Sequence, residues 1–162
     1  MDYLEDIRIG ERVETGRHTF TAEEIKIFAA SFDPQPFHVD EEAAKHTHFG
    51  ALCASGWHTA AICMRYLITH RQRVIEAKQA RGEPIARFGP SPGFRNLRWI
   101  KPVYVGDTLT FATEPLTARV SQSRLGWGLA TSQNTGINQN GDLAYSFESA
   151  VFVERRPGWD PE

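Results

Sequence analysis

The sequence contains 162 residues, of which 41% are hydrophobic and 23% are charged, and its formal net charge is −2. This length and composition predict one globular domain over residues 1–162, with a core of its own. A C-terminal tail from about residue 155 is expected to be loosely ordered, because RRPGWDPE is polar and rich in turn formers. The small net charge argues against nucleic acid or an anionic membrane as a partner.

The sequence also indicates a cellular compartment. No apolar run approaches the length of a membrane span, and the N-terminus MDYLEDIRIGER is too polar for a signal peptide. The two cysteines, Cys53 and Cys63, form neither a disulfide framework nor a CxxC metal pair. We therefore expect a cytoplasmic protein whose thiols are reduced and buried.

The first clear element is a helix in the segment FTAEEIKIFAASF. Thr21 and Glu24 have the spacing of a capping box, in which the two residues bind each other's backbone N–H groups. Apolar residues then recur at helical spacing and predict one buried face, formed by Ile25, Phe28, Ala29 and Phe32. The helix is predicted to end at Asp33, because Pro34 disfavours the helical conformation in the residue before it.

The segment SFDPQPFHVD, residues 31–40, follows this helix and contains two prolines. Each proline fixes its own φ and favours an extended conformation in the residue before it, so Asp33 and Gln35 are predicted to be extended. The chain from Asp33 to His38 is therefore expected to be stiff, with the two side chains a fixed distance apart. Asp40 is predicted to cap a short helix that begins at EEAA.

A second helix is predicted to begin near Gly56 and to end near Gly82, which gives roughly 25 residues and a length on the order of 38 Å. Its first half is apolar on nearly every side, which indicates burial. The stripe that we expect to pack in the core is formed by Trp57, Ala60, Ala61, Met64 and Ile68.

In the last third of the chain the hydrophobic period changes to two. Strands are predicted in the segments DTLTFAT, LTARVSQS, GWGLATSQNTGIN and LAYSFESAVFV, and Asn140-Gly141 is a strong signal for a hairpin turn. Helices followed by an antiparallel meander indicate the α+β class, in which a strongly curved antiparallel β-sheet wraps around the long central α-helix.

These segments carry a family resemblance. The runs FDPQPFHVDEEAA, ALCASGWHTAA and NLRWIKPVYVGDTLTF resemble the MaoC-like acyl dehydratases, which include the R-specific enoyl-CoA hydratases. The resemblance covers most of the chain, and its best motif is D-x-(N/Q)-P-x-H-x-D-x-x-x-A, here residues 33–44. It implies the hotdog fold, in which an antiparallel sheet wraps a long helix.

The resemblance also implies roles for individual residues. In the family, the aspartate and histidine of the motif hold the catalytic water against the double bond of an enoyl thioester, and these positions are Asp33 and His38. A backbone N–H of a glycine at the start of the central helix binds the thioester carbonyl, and this position is Gly56. The residues on either side of it, Ser55 and Trp57, are the accompanying candidates for substrate binding.

The sequence departs from the family pattern at two positions. Gln35 replaces an asparagine that many members have, and Ser55 replaces a histidine. The longer side chain of Gln35 could reshape the loop, and Ser55 could cap the helix instead of contacting substrate. Both departures bear on the choice of substrate, while the acid–base pair is retained.

The resemblance predicts the reversible hydration of a 2-enoyl thioester, with acyl-CoA preferred over acyl carrier protein and without a metal or an organic cofactor. Two alternatives remain, a hotdog thioesterase and a non-catalytic acyl-binding or partner subunit of the same fold. The loop GEPIARFGPSPGF is expected beside the pocket mouth, with Phe88 or Phe94 screening the acyl chain, and simple packing is the alternative.

The sequence predicts no metal site. No HxxxH or HExxH pattern occurs among the candidate ligands, which are His38, Asp40, His46, His48 and His58.

A curved sheet around one helix leaves an edge strand that is usually paired or covered. We therefore expect a homodimer in which the edge strands of two subunits join into one sheet.

Overall fold

A computed structural model describes residues 2–158. It contains four α-helices and five β-strands after a short 3-10 helix at Leu4–Asp6. The elements, in chain order, are β1 (Val13–Thr19), α1 (Ala22–Phe32), α2 (Pro36–Val39), α3 (Glu41–Lys45), α4 (Gly56–Ala80), β2 (Gly93–Trp99), β3 (Thr108–Val120), β4 (Trp127–Ile137) and β5 (Leu143–Glu154). None of these helices is long and apolar enough to cross a membrane.

The five strands form one antiparallel sheet in the order β1-β3-β4-β5-β2. The predicted hairpin is confirmed, since β4 and β5 are joined by a turn in which Gly141 has a φ of 85°. Positive φ is accessible to glycine without a steric penalty, which explains the Asn-Gly signal. A sheet with helices beside it confirms the α+β class.

The structure differs from the prediction in two ways. Two of its strands were not predicted, and two of the predicted strands form one continuous strand. β1 and β2 are the edge strands of the sheet. Their sequences, VETGRHT and GFRNLRW, lack an alternation of apolar and polar residues, and β2 is mostly exposed, so no pattern predicts them. The segments DTLTFAT and LTARVSQS form the single long strand β3, which continues through Pro115 with a shift of register.

The long helix α4 is predicted correctly in position and length, with 25 residues, but the predicted core face is wrong. Trp57, Met64 and Ile68 are exposed along one side of the helix. The buried side, which packs in the main core, carries His58, Thr59, Ile62 and Cys63. Apolar residues lie on both sides of the first half of α4, so hydrophobicity alone does not show which side packs against the sheet.

The main core lies between α4, α1 and the inner face of the sheet. It is built from fully buried side chains such as Phe20, Ile25, Leu109 and Phe111. Cys53 and Cys63 are both buried and unpaired, as expected.

The loop between α4 and β2 was expected beside the pocket mouth, with Phe88 or Phe94 screening the acyl chain, and the position of Phe88 does not fit this role. Phe88 forms an isolated bridge with Val153 and packs in a second, smaller core with Leu4 and Ala130. It also lies under the guanidinium of Arg71, about four turns along α4 from Gly56. Phe94 lies in β2, where its exposed ring contacts the edge of Phe147.

The C-terminal tail is tied to the N-terminal segment over its first residues. Arg155 Nε donates to Glu5 at 2.9 Å, and Arg156 pairs with Asp6 at 2.6 Å. The part of the predicted loose tail beyond residue 158 lies outside the described residues.

Candidate active site

Helix α1 positions Asp33, which is its C-cap. The capping box predicted from the sequence is present, with Thr21 Oγ1 accepting from Glu24 N–H and the Glu24 carboxylate accepting from Thr21 N–H. Ile25 and Ala29 are fully buried and hold the helix against the core. Phe32, assigned to the same face, is exposed, so the helix turns its last residue toward solvent beside Asp33.

The loop after α1 differs from the extended chain that the prolines suggested. Gln35 is extended, with φ −78° and ψ 145°, but the ψ of Asp33 is 67°. The carbonyl of Asp33 accepts from Gln35 N–H at 2.8 Å, which closes a tight turn around Pro34. Pro36 begins the short helix α2, because its fixed φ suits the first helical position.

His38 lies on α2 and is buried. Its Nδ1 lies 2.7 Å from the carbonyl oxygen of Cys53, and a carbonyl only accepts, so Nδ1 carries a hydrogen. The other ring nitrogen, Nε2, lies 3.5 Å from Oδ2 of Asp33. The Cys53 carbonyl therefore fixes the ring so that Nε2 faces the carboxylate.

The Asp33 carboxylate is held by one hydrogen bond at each oxygen. Ser55 Oγ donates to Oδ2 at 2.6 Å, and Gln35 Nε2 donates to Oδ1 at 2.8 Å. Burial alone would raise the pKa of Asp33, but the hydrogen bonds from Ser55 and Gln35 and the nearby His38 outweigh it and lower the pKa below its ordinary value. Asp33 is therefore ionised at neutral pH.

Ser55 is the N-cap of α4, and its Oγ accepts from Trp57 N–H at 3.2 Å. Thr59 N–H is also satisfied, by the Ser55 carbonyl. Among the residues that the structure describes, none accepts a hydrogen bond from Gly56 N–H. In the first turn of α4, the N–H of Gly56 is therefore an open backbone donor next to the serine that contacts Asp33.

Two tryptophans flank this donor. Trp57 and Trp99 meet edge to face at 5.1 Å between ring centroids, and they are 52% and 46% exposed. Trp99 lies so close to Gly56 that a Cβ atom at this glycine would collide with the indole. Sequence reasoning missed Trp99, because it lies 43 positions from Gly56 on an edge strand that no pattern predicted.

The remaining sequence candidates lie apart from this group. Asp40 caps α3, as predicted, with Oδ1 accepting from Glu42 N–H at 2.8 Å and from Ala43 N–H at 3.0 Å. His46 and His48 are exposed. His58 is buried and stacked on Phe28, with ring centroids 4.7 Å apart.

The arrangement can hold a water molecule. Asp33 Oδ2 and His38 Nε2 are both acceptors when the ring is neutral, and a water has two hydrogens to donate. A water between these atoms would point an oxygen lone pair away from them. The open N–H of Gly56 lies nearby at the N-terminus of α4, where the helix dipole favours negative charge.

An antiparallel sheet around a long helix, with an aspartate and a histidine facing each other at the helix N-terminus, defines the class to which this chain belongs. The family model for the MaoC like domain matches residues 6–126. The chain is a member of the MaoC-like family, and its fold is the hotdog fold. Both expectations from the sequence are confirmed.

Comparisons with individual proteins agree with this. A MaoC-like dehydratase from Rhodospirillum rubrum is 42% identical, covers 97% of this chain and 99% of its own, and superposes with a TM-score of 0.81. An uncharacterized protein, YdeM of Bacillus subtilis, is 29% identical over 94% of this chain and 99% of its own. An (R)-hydratase from A. caviae, 24% identical over 91% and 97% of the two chains with a TM-score of 0.64, shares the fold.

Proposed function

We propose that this protein catalyses the reversible hydration of a 2-enoyl thioester, with acyl-CoA as the carrier. The observation that carries the proposal is the facing pair Asp33 Oδ2 and His38 Nε2, 3.5 Å apart, beside the first turn of α4. Similarity to a MaoC-like dehydratase at 42% identity over nearly the whole chain supports the reaction class.

The proposed mechanism uses one water held by the pair. The water donates one hydrogen to Asp33 and the other to His38, and its oxygen attacks C3 of the substrate as a proton passes to the pair. The electrons of the C2=C3 bond move onto the thioester oxygen. The pair then delivers a proton to C2, so that the elements of water are added and the pair returns to its first state. Dehydration is the reverse, and the pair titrates as a unit.

Gly56 N–H is proposed to bind the thioester oxygen. Negative charge develops on this oxygen in the enolate, and a backbone donor held at a helix N-terminus stabilises it without having to reorganise. The exposed ring of Trp57 supplies apolar surface for the substrate next to this donor. The hydroxyl of Ser55 is buried against Asp33, so it reaches the substrate only through that carboxylate.

We further propose that the single domain works as a homodimer in the cytoplasm. β2 is an edge strand, and its Trp99 contacts Trp57 at the start of α4. The side of α4 that begins with Trp57 also exposes Met64 and Ile68, and Phe94 is exposed on β2. A second copy that added its own β2 to this edge would cover these side chains. The two unpaired buried thiols suit a reducing compartment.

The test is a panel of enoyl-CoA thioesters of different chain length, incubated with the purified protein. Hydration removes the enoyl absorbance and leaves the thioester intact. Release of free thiol would indicate the thioesterase alternative instead. Binding without either change would indicate a non-catalytic acyl-binding subunit.

A further inference from the structure

Ser55 connects the two parts of the proposed active site. Its hydroxyl donates to Oδ2 of Asp33 at 2.6 Å, and the same oxygen atom accepts from Trp57 N–H at 3.2 Å in the first turn of α4. The side chain is 1% exposed, so bulk water does not reach it to replace either contact. One buried hydroxyl thus joins the carboxylate to the helix terminus.

We propose that Ser55 is a positioning residue for the hydration reaction, because it holds the Asp33 carboxylate in a fixed orientation beside the Gly56 N–H. The inference rests on the proposed function. It adds a role for a side chain that has no direct contact with the reacting atoms.

The hydrogen bond from Ser55 decides which side of the carboxylate a water can use. A carboxylate oxygen has two acceptor directions, and Ser55 occupies one of those on Oδ2. The other direction on Oδ2 remains for a water near His38 Nε2. Gln35 holds Oδ1 at the same time, so the carboxylate plane is fixed at both oxygens.

Ser55 also acts on the first turn of α4. Its Oγ accepts from Trp57 N–H and not from Gly56 N–H, so the N–H of Gly56 stays open for a ligand. The distance between the open donor and the carboxylate is then set by one residue, since Ser55 is adjacent to Gly56 in the chain. Small displacements of catalytic groups are expensive in such sites.

Ser55 also contributes to the charge state of Asp33. Burial raises the pKa of the carboxyl, and the hydrogen bond from Ser55 is the foremost of the contacts that lower it, followed by Gln35 and His38. His38 is the titratable group that faces this carboxylate within the described residues, and α4 faces it with the neutral Ser55. Without the hydroxyl, the pKa of Asp33 should rise.

The experiment compares four variants with the parent. Ser55→Ala and Ser55→Gly both remove the hydroxyl, and glycine keeps most of the stability of a helix cap. Ser55→Thr retains a hydroxyl. Thr21→Ala removes the cap of α1 and serves as a control for lost stability without a lost contact to Asp33.

Two readouts separate positioning from stability. The Asp33 carboxyl is titrated by ¹³C NMR, and the pH profile of kcat is measured on the best enoyl-CoA. Ser55→Ala and Ser55→Gly should raise the pKa of Asp33, move the acid limb of the profile upward and lower kcat by about 10- to 100-fold, with KM little changed. Ser55→Thr should restore both properties, and Thr21→Ala should match the parent.

The possible failures are distinguishable. An active parent whose Ser55→Ala and Ser55→Gly variants keep the parent titration and pH profile would overturn this inference alone. A parent that hydrates no enoyl thioester would overturn the proposed function and, with it, the role of Ser55 in that reaction.

Discussion

Trp99, the last residue of β2, packs directly against Gly56, the first residue of α4. A Cβ atom at position 56 would collide with the indole ring, so a glycine is required here by close packing. The same contact brings an edge strand of the sheet to the helix terminus that carries the open N–H. Any side chain at position 56 must therefore displace Trp99.

Gly56→Ala is expected to destabilise the protein by about 1–3 kcal/mol, the usual cost of overpacking. The added methyl group pushes the indole away from the first turn of α4. Combining it with Trp99→Ala should remove the collision, so the double variant should lose less stability than the sum of the single variants. Urea unfolding of the parent, both single variants and the double variant measures this. Strictly additive losses would show that the two residues are not in contact.

His58 should make the protein sensitive to acid. Its Nδ1 has no hydrogen-bond partner within the described residues. Burial lowers the pKa of His58 below the ordinary value of 6.5, Glu24 opposes this shift, and His18 adds to it. The unfolded chain therefore binds more protons than the folded one as the pH falls through 6.5, and the free energy of unfolding falls with it.

The test compares the parent with His58→Phe, which retains an aromatic ring against Phe28. Chemical unfolding between pH 7.5 and about 5 should show a weaker loss of stability in the variant than in the parent. His46→Gln, which replaces an exposed histidine, should follow the parent. Equal pH dependence in the parent and His58→Phe would contradict the expectation.

The exposed side of α4 should be required for the dimer. Replacing Met64 and Ile68 together by glutamate places two like charges on the apolar stripe, and a buried charge without a partner is costly. Light scattering at micromolar concentration should then give the monomer mass, whereas the parent gives the dimer mass. Leu125→Glu changes a fully exposed leucine between β3 and β4 and should leave the dimer intact. A parent that is already monomeric would contradict the proposed assembly.

Much of the fold was predictable because several elements carry local signals. The capping box at Thr21, the proline after Asp33 and the Asn140-Gly141 turn each act within a few residues. The edge strands carry no such signal, because half of their backbone and most of their side chains face solvent.

The core face of α4 shows where local signals are insufficient. Met64 and Ile62 are both apolar, yet one is exposed and the other is buried. The buried side also includes His58 and Thr59, which a hydrophobicity pattern assigns to the surface. Tertiary packing against the sheet, and not the pattern of the helix itself, decides the face.

The site was predictable in part. The motif identifies Asp33 and His38, and the structure brings them together with Ser55 beside Gly56. The carbonyl of Cys53, which orients His38, is a main-chain group, and any residue could supply it. A sequence pattern therefore contains no information about this contact.

The central claim is that Asp33 and His38 activate water for addition to an enoyl thioester. The most direct test is the hydration rate of a purified, folded Asp33→Asn variant, followed by the loss of enoyl absorbance on the best enoyl-CoA of the parent. The change keeps the shape of the side chain and removes its charge, so kcat should fall by about 10²- to 10⁴-fold, the usual contribution of general acid–base catalysis. Asp40→Asn, which keeps a good cap on α3, should retain the parent rate. A folded Asp33→Asn variant that hydrates the substrate at the parent rate would contradict the claim.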